Sequence, residues 1–238
     1  MGRAFEYRKD RKMKRWASMA KAFTRIGREI AIAVKEGGPD PNYNSRLRMA
    51  IQNAKSANMP KANVESAIKK ANSKDAESYD EVVYEGYAPH GVAMVVETAT
   101  DNTNRTVANI RHIFSKYGGS LGTSGSVSYM FERKGVFRIK ADGLELEELE
   151  LELIDHGLEE LKTEDEWAML YSLFEDFGAL QKALEERNIE VENAELVRIP
   201  SHTKKLTDEE VEDVIKLIEK MEEDEDVVNI FHNMDMSE

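Results

Sequence analysis

Residues 37–71, GGPDPNYNSRLRMAIQNAKSANMPKANVESAIKKA, decide the architecture of the first third of the chain. Gly37-Gly38 followed by Pro39 ends a helix, because glycine tolerates the left-handed cap and proline cannot continue the turn. Asn44 or Ser45 then caps a second helix, in which Leu47, Ala50, Ile51, Ala54 and Ala57 keep helical spacing. Arg46, Arg48 and Lys55 fall on its opposite face. Met59-Pro60 prepares a third helix, since proline suits the first helical turn, and Val64, Ala67, Ile68 and Ala71 repeat a narrow apolar seam. Lys61, Lys69 and Lys70 lie outside that seam.

Upstream, Trp16, Met19, Phe23, Ile26, Ile30 and Val34 recur three or four residues apart, which predicts a long helix from Met13 to Gly37. Lys14, Lys21, Arg25 and Arg28 occupy its other face. Met1 to Asp10 has no sustained period and reads as an arm. Three amphipathic helices with short connections predict a bundle over residues 1–74, ending in the polar linker Asn72 to Ser78. The charges are segregated. Residues 1–74 carry 18 Lys+Arg against 6 Asp+Glu, a balance of +12, and residues 75–238 carry 15 against 40, or −25. The net charge of −13 therefore hides a basic module that suits a polyanion, joined to an acidic body. The other reading of the same asymmetry docks the basic part on the acidic part within one molecule.

Downstream, the period changes. Val82-Val83-Tyr84 and Val92 to Val96, separated by Ala88-Pro89-His90-Gly91, predict a hairpin. Asp101 to Thr103 offers caps for a helix carrying Val107, Ile110, Ile113 and Phe114, and Val127 to Phe131 reads as another strand. Val136 to Ile139, Leu144 to Asp155, Gly157 to Leu161, Trp167 to Tyr171, Phe174 to Arg187 and Ala194 to Ile199 follow the ferredoxin-like order β-α-β-β-α-β. Thr207 caps a last helix with Val211, Val214, Ile215, Ile218 and Met221 on its apolar side, and Val227 to Phe231 forms a terminal strand. Counting elements sends that helix and strand back to the middle sheet. The expected fold is α+β and multidomain: an N-terminal three-helix bundle, 1–74; a discontinuous middle α+β domain, 79–132 plus 203–238; and an inserted acidic ferredoxin-like domain, 133–202.

GGPDPNYNSRLR, NMPKANV and AIKKA at this spacing, with YEGYAPHGVAMVVE, TDNTNRT and DVVNIFHN further on, strongly resemble the YebC family, whose mitochondrial members include the translational activator of cytochrome c oxidase. The resemblance covers almost the whole chain. Most members open with a GHSKW-like arm, whereas this chain opens Gly2-Arg3-Ala4-Phe5-Glu6-Tyr7-Arg8-Lys9. Membership implies three domains and a non-enzymatic regulator of gene expression, described for different members as a DNA-binding transcriptional regulator or a translation factor acting at the ribosome.

The residues themselves offer no catalytic constellation. Gly118 to Gly125 lacks the Gly-Lys-Ser/Thr ending of a phosphate loop and follows a helix instead of opening one. His90, His112, His156, His202 and His232 are scattered without ligand spacing, and Glu222 to Asp226 lacks the alternation and glycine of a calcium loop, so it reads as a solvated acidic turn. No metal, cofactor or small-molecule substrate is expected. The chain has no cysteine, no apolar run near the ~20 residues that span a bilayer and no signal-like start, which together predict a soluble, cytoplasmic protein in a reducing compartment. A monomer is expected.

The nucleic-acid-binding candidates are Arg8, Lys9, Arg11, Lys14, Arg15, Lys21, Arg25, Arg28, Arg46, Arg48, Lys55, Lys61, Lys69 and Lys70, because cations on exposed helix faces bind phosphate independently of sequence. Phe5, Tyr7 and Trp16 are interleaved with them and either stack on bases or pack inward. Asn104 and Arg105, beside a helix N-terminus, are secondary candidates, with plain capping as their structural alternative. No helix-turn-helix recognition helix is evident, so structured RNA or the ribosome fits at least as well as promoter DNA. The competing class is a protein-interaction scaffold that works through its acidic domains.

Overall fold

The computed structural model describes residues 21–74 and 76–235, and the chain divides into two compact units, Met1–Ser78 and Tyr79–Glu238. Arg8, Lys9, Arg11, Lys14, Arg15, Phe5, Tyr7, Trp16 and Met19, named above, lie outside the described residues. In the first unit α1 (21–37), α2 (Ser45–Ser56) and α3 (Lys61–Ala71) follow the apolar period. Ile26, Ile30, Ala33 and Val34 pack with Leu47, Ala50, Ala54 and Val64. The alanines leave little side-chain bulk in that seam, so the unit depends on close backbone approach more than on large buried groups. Ile51, Ala57, Ala67, Ile68 and Ala71 surround this cluster half-buried.

The second unit contains two four-stranded sheets. The first joins β1 (Asp80–Ala88), β2 (Val92–Thr100), β3 (Ser120–Leu121) and β8 (Val227–His232) in the order β3-β1-β2-β8, all antiparallel. Strand β2 shows why its sequence is continuously apolar: alternate residues serve two covered faces. Val92, Met94 and Val96 meet Ile110, Ile113 and Phe114 of α4 (Thr103–Lys116) and Val214, Leu217 and Met221 of α7 (Asp208–Glu222). Ala93 and Val95 instead meet Val127 and Phe131. Each fully buried side chain such as Phe114 contributes roughly 1.5–3 kcal/mol by leaving water. The last helix and strand thus complete the sheet begun by the 80–100 hairpin.

Two expectations change here. Val127 to Phe131 is not a strand; a single 3₁₀ turn spans Ser128–Met130 and extended structure resumes at Phe131. The N–H groups of Val127 and Ser128, which a ladder would require, donate instead to the Glu85 carboxylate at 2.9 and 2.7 Å. The third strand lies earlier, at Ser120–Leu121, inside the glycine-rich run. It approaches β1 so closely that a Cβ on Gly86 would stand 2.5 Å from the Ser120 carbonyl oxygen. On α7, Leu217 occupies the core position assigned to Ile215, which faces solvent.

The second sheet joins β4 (Phe131–Lys140), β5 (Leu158–Glu164), β6 (Trp167–Leu173) and β7 (Val191–Pro200) in the order β5-β6-β4-β7. With α5 (Leu146–Ile154) after β4 and α6 (Phe177–Glu186) after β6, residues 131–200 follow the connectivity β-α-β-β-α-β. Phe137 of β4 stacks on Phe177 of α6 at 4.5 Å between ring centroids. On the other side the sheet is half-open, and the Arg138 guanidinium lies over Trp167 at 4.8 Å and the Lys162 ammonium over Tyr171 at 5.1 Å from the ring centroids. Among the described residues no helix is long and apolar enough to cross a membrane.

Candidate nucleic-acid interface

The GGPDPNYN stretch is a rigid corner between α1 and α2. Asn44 is the N-cap: its side-chain oxygen accepts the Leu47 N–H at 2.9 Å, while its amide nitrogen donates to the carbonyls of Ala33 at 2.7 Å and Gly38 at 2.9 Å. One buried amide therefore satisfies the end of one helix and the start of the next. Gly37 has no room for more, because a Cβ there would stand 2.7 Å from the Asn44 amide nitrogen. Within the turn, Asp40 accepts the backbone and side-chain N–H groups of Asn42, both at 2.9 Å, and Tyr43 N–H donates to the Asp40 carbonyl at 3.2 Å. Arg48 reaches back from α2 to donate to the Pro41 carbonyl at 2.8 Å and that of Asn42 at 3.3 Å.

The cations of this unit consequently divide into two kinds. Arg46 pairs with Glu36 at 2.8 Å and Arg48 braces the corner, so these two arginines hold the fold as well as adding charge. Arg25 and Arg28 are half-buried on α1. Lys21, Lys55, Lys61, Lys69 and Lys70 are exposed, with Lys61 near Glu65 at 3.8 Å and Lys70 on Glu77 at 2.9 Å. Over residues 21–74 the count is 11 Lys+Arg against 4 Asp+Glu, so the surface stays cationic after these pairs are made. Sequence reading passed over Tyr43. It stands 88 % exposed at the tip of the corner, the one large apolar residue of the first unit so exposed among those described. Its position between a proline turn and the capping Asn44 was the available signal.

Asn104 and Arg105 belong to the second unit. Asn102 caps α4 by accepting the Arg105 N–H at 3.1 Å, and Asn104 is exposed. The Arg105 guanidinium donates to Asp101 at 2.7 Å and to Asp226 at 2.8 Å. These hydrogen bonds, first that of Asp226 and then that of Asp101, raise its pKa further above its ordinary value. Asp226 is 3 % exposed, and the same oxygen accepts from the Thr100 hydroxyl at 3.0 Å and the Thr106 hydroxyl at 2.7 Å. Burial pushes that carboxyl up, but the hydrogen bonds from Arg105, Thr106 and Thr100 prevail and hold it below its ordinary value. The acidic run 222–226 is thus not a wholly solvated turn. Its last residue is sequestered, and the TDNTNRT segment wraps around it.

No group of three or more His, Asp or Glu side chains among the described residues is arranged to hold a metal ion.

Comparison with known proteins covers both units. Residues 3–74 match the family model described as the TACO1/YebC protein N-terminal domain, and residues 79–234 match that of the TACO1/YebC second and third domain. A probable transcriptional regulatory protein of Flavobacterium johnsoniae is 59 % identical over 234 residues, covering 98 % of this chain and 99 % of the relative. One of the same description from Porphyromonas gingivalis is 59 % identical over 235 residues, covering 98 % and 97 %. The crystal structure of a conserved hypothetical protein from Aquifex aeolicus superposes with a TM-score of 0.79 at 42 % identity, covering 92 % of this chain and 91 % of that one.

Proposed function

Because the chain belongs to the TACO1/YebC family, we propose that it is a non-enzymatic regulator of gene expression that binds nucleic acid through its basic helical unit. The observation that carries this reading is the separation of charge: +12 over residues 1–74 and −25 over the rest, with lysines exposed on the helices and the apolar seam turned inward. Such a surface binds phosphate by releasing counterions and needs no base-specific contact. Promoter DNA would fit the description carried by the bacterial relatives. Structured RNA or a ribosomal surface fits at least as well, since small residues dominate the seams of α2 and α3 and no recognition helix is evident in the sequence. In this reading 79–132 with 203–238 and 133–202 act as separate domains, supported by each sheet having its own pair of helices.

The test reverses the exposed lysines and leaves the bracing arginines alone. Replacing Lys21, Lys61, Lys69 and Lys70 by Glu is expected to leave helical content unchanged while flattening the log–log salt dependence of binding to a labelled RNA hairpin by about 3, at ~0.7 for each phosphate no longer neutralised. Equal binding by both proteins at every salt concentration would remove this surface from consideration.

A protein-interaction scaffold is the second reading, favoured by α5, where Leu151 and Ile154 are 71 % and 54 % exposed, one turn apart, on a helix otherwise rich in glutamate. It expects the purified chain to show the absorbance ratio at 260 and 280 nm of protein alone, unchanged by nuclease. A raised ratio abolished by nuclease counts against it.

A further inference from the structure

The corner that joins α1 and α2 is built with more care than a connection needs. Asn44 is buried and fully hydrogen-bonded, Asp40 ties down Asn42, and Arg48 crosses from α2 to hold two loop carbonyls. At the apex of this braced turn stands an aromatic ring that covers nothing, Tyr43, 88 % exposed. A tyrosine whose only task was to close the turn would lay its ring along the helices and gain the free energy of leaving water, and this one does not. The bracing fixes the backbone that carries the ring, which lowers the conformational entropy lost when the ring meets a partner.

We propose that Tyr43 stacks on an unpaired nucleobase of structured RNA, with the cations around the corner holding the neighbouring phosphates. This rests on the nucleic-acid reading of the basic unit and says which part of the nucleic acid it takes. The chemistry of the surroundings selects the partner. A protein or membrane contact is made by several contiguous apolar groups, whereas no other large apolar residue of this unit is comparably exposed among those described. Lys35 on the last turn of α1 and Arg46 and Arg48 on the first turn of α2 put cations on both helices that the corner joins, each also engaged within the unit and with Arg46 paired to Glu36. An isolated aromatic among cations is the composition that binds single-stranded nucleic acid, where the ring takes a base face and the charges follow the backbone. A continuous duplex keeps its base faces stacked on one another, so the partner must present a loop, bulge or end.

Tyr43→Ala and Tyr43→Phe in the full chain test this, using an RNA hairpin with 2-aminopurine in its loop and a blunt duplex of the same stem sequence. Wild type and Tyr43→Phe should bind the hairpin alike and quench the loop fluorophore. Tyr43→Ala should bind it roughly 5- to 150-fold more weakly, the worth of one base–aromatic stack, without quenching. Its affinity for the duplex and its salt slope should be unchanged, because no charge has been removed. If Tyr43→Ala binds the hairpin as wild type does, while wild-type binding remains salt-dependent, the stacking role is wrong and the basic-surface reading stands. A loss of equal size on hairpin and duplex also overturns stacking, since it would mean the ring acts through the fold. If wild type binds neither RNA, stacking falls together with the choice of RNA as the partner of the basic unit.

Discussion

Glu85→Ala is expected to lower the thermal midpoint of the second unit by about 10 °C. The Glu85 side chain lies in a residue only 5 % exposed and accepts three backbone N–H groups, from Gly125 at 2.7 Å, Val127 at 2.9 Å and Ser128 at 2.7 Å. Truncation leaves three donors facing an apolar gap, and unsatisfied buried donors cost about 1–3 kcal/mol each before water or relaxation offsets part of the loss. A net destabilisation of about 3–4 kcal/mol corresponds to roughly 2–4 °C per kcal/mol for a unit of this size. Glu85→Gln should recover part of the loss, because its carbonyl oxygen still accepts while its amide nitrogen opposes a donor.

The pH dependence follows from the same contacts. Burial raises the Glu85 carboxyl, but the N–H groups of Gly125, Val127 and Ser128 outweigh it and bring its pKa below the ordinary value. A group depressed on folding stabilises fully above its unfolded pKa, and that stability is lost as pH falls through the folded one. Wild type should therefore lose stability on acidification below the ordinary carboxylate range, and Glu85→Ala should show a shallower acid limb. Circular dichroism melts from neutral pH to about pH 3 measure both quantities. Identical midpoints for the two proteins at neutral pH would show that the 122–128 loop does not depend on this carboxylate.

Asp226→Ala should be comparably destabilising, by about 3 kcal/mol, since it removes the charged acceptor of two hydroxyls, Thr100 and Thr106, both fully buried. The damage should be local first. Asp226 precedes β8 and its carbonyl accepts the Ala99 N–H at 2.9 Å, so amide protection across Val227 to Phe231 should fall before that of β4 or β6. Arg105→Ala in the Asp226→Ala background should add little, because the two act as one unit. This also separates two roles for Arg105. A pure fold role predicts lost stability with unchanged RNA affinity in Arg105→Ala, and the reverse pattern would make it a nucleic-acid contact.

What could be read from the letters was what neighbouring residues decide together. The Thr207 cap, a cap for α2 at Asn44 or Ser45 and one for α4 within Asp101 to Thr103, the apolar seams of α2 and α4 and the return of 207–231 to the first sheet all follow from local period or from counting elements, and the structure chooses Asn44 and Asn102. What could not be read was set from far along the chain. Val127 to Phe131 has the composition of a strand, but a carboxylate 42 residues earlier takes its donors. Asp226 looks like its acidic neighbours until Thr100, 126 residues away, is brought to it. Arg48 sits at a position that helical spacing turns outward, and its acceptors are backbone carbonyls, which no letter encodes. On α7, Val211, Val214, Ile218 and Met221 define a stripe that either Ile215 or Leu217 could flank, and only packing chooses Leu217.

The pairing of β8 with β2 also has a consequence in time. Glu97 and Asn229, partners across that ladder, are 132 residues apart in sequence. During synthesis at about 5–20 residues per second, β2 is therefore made on the order of 10 s before the strand that covers its edge. In that interval Val92-Ala93-Met94-Val95-Val96 presents an apolar, β-prone edge with open hydrogen-bonding groups, the usual template for intermolecular association. Residues 131–200, whose strands pair only with one another, can close their sheet before β8 is made. The nascent chain thus carries this open edge from before its midpoint until its last strand is made.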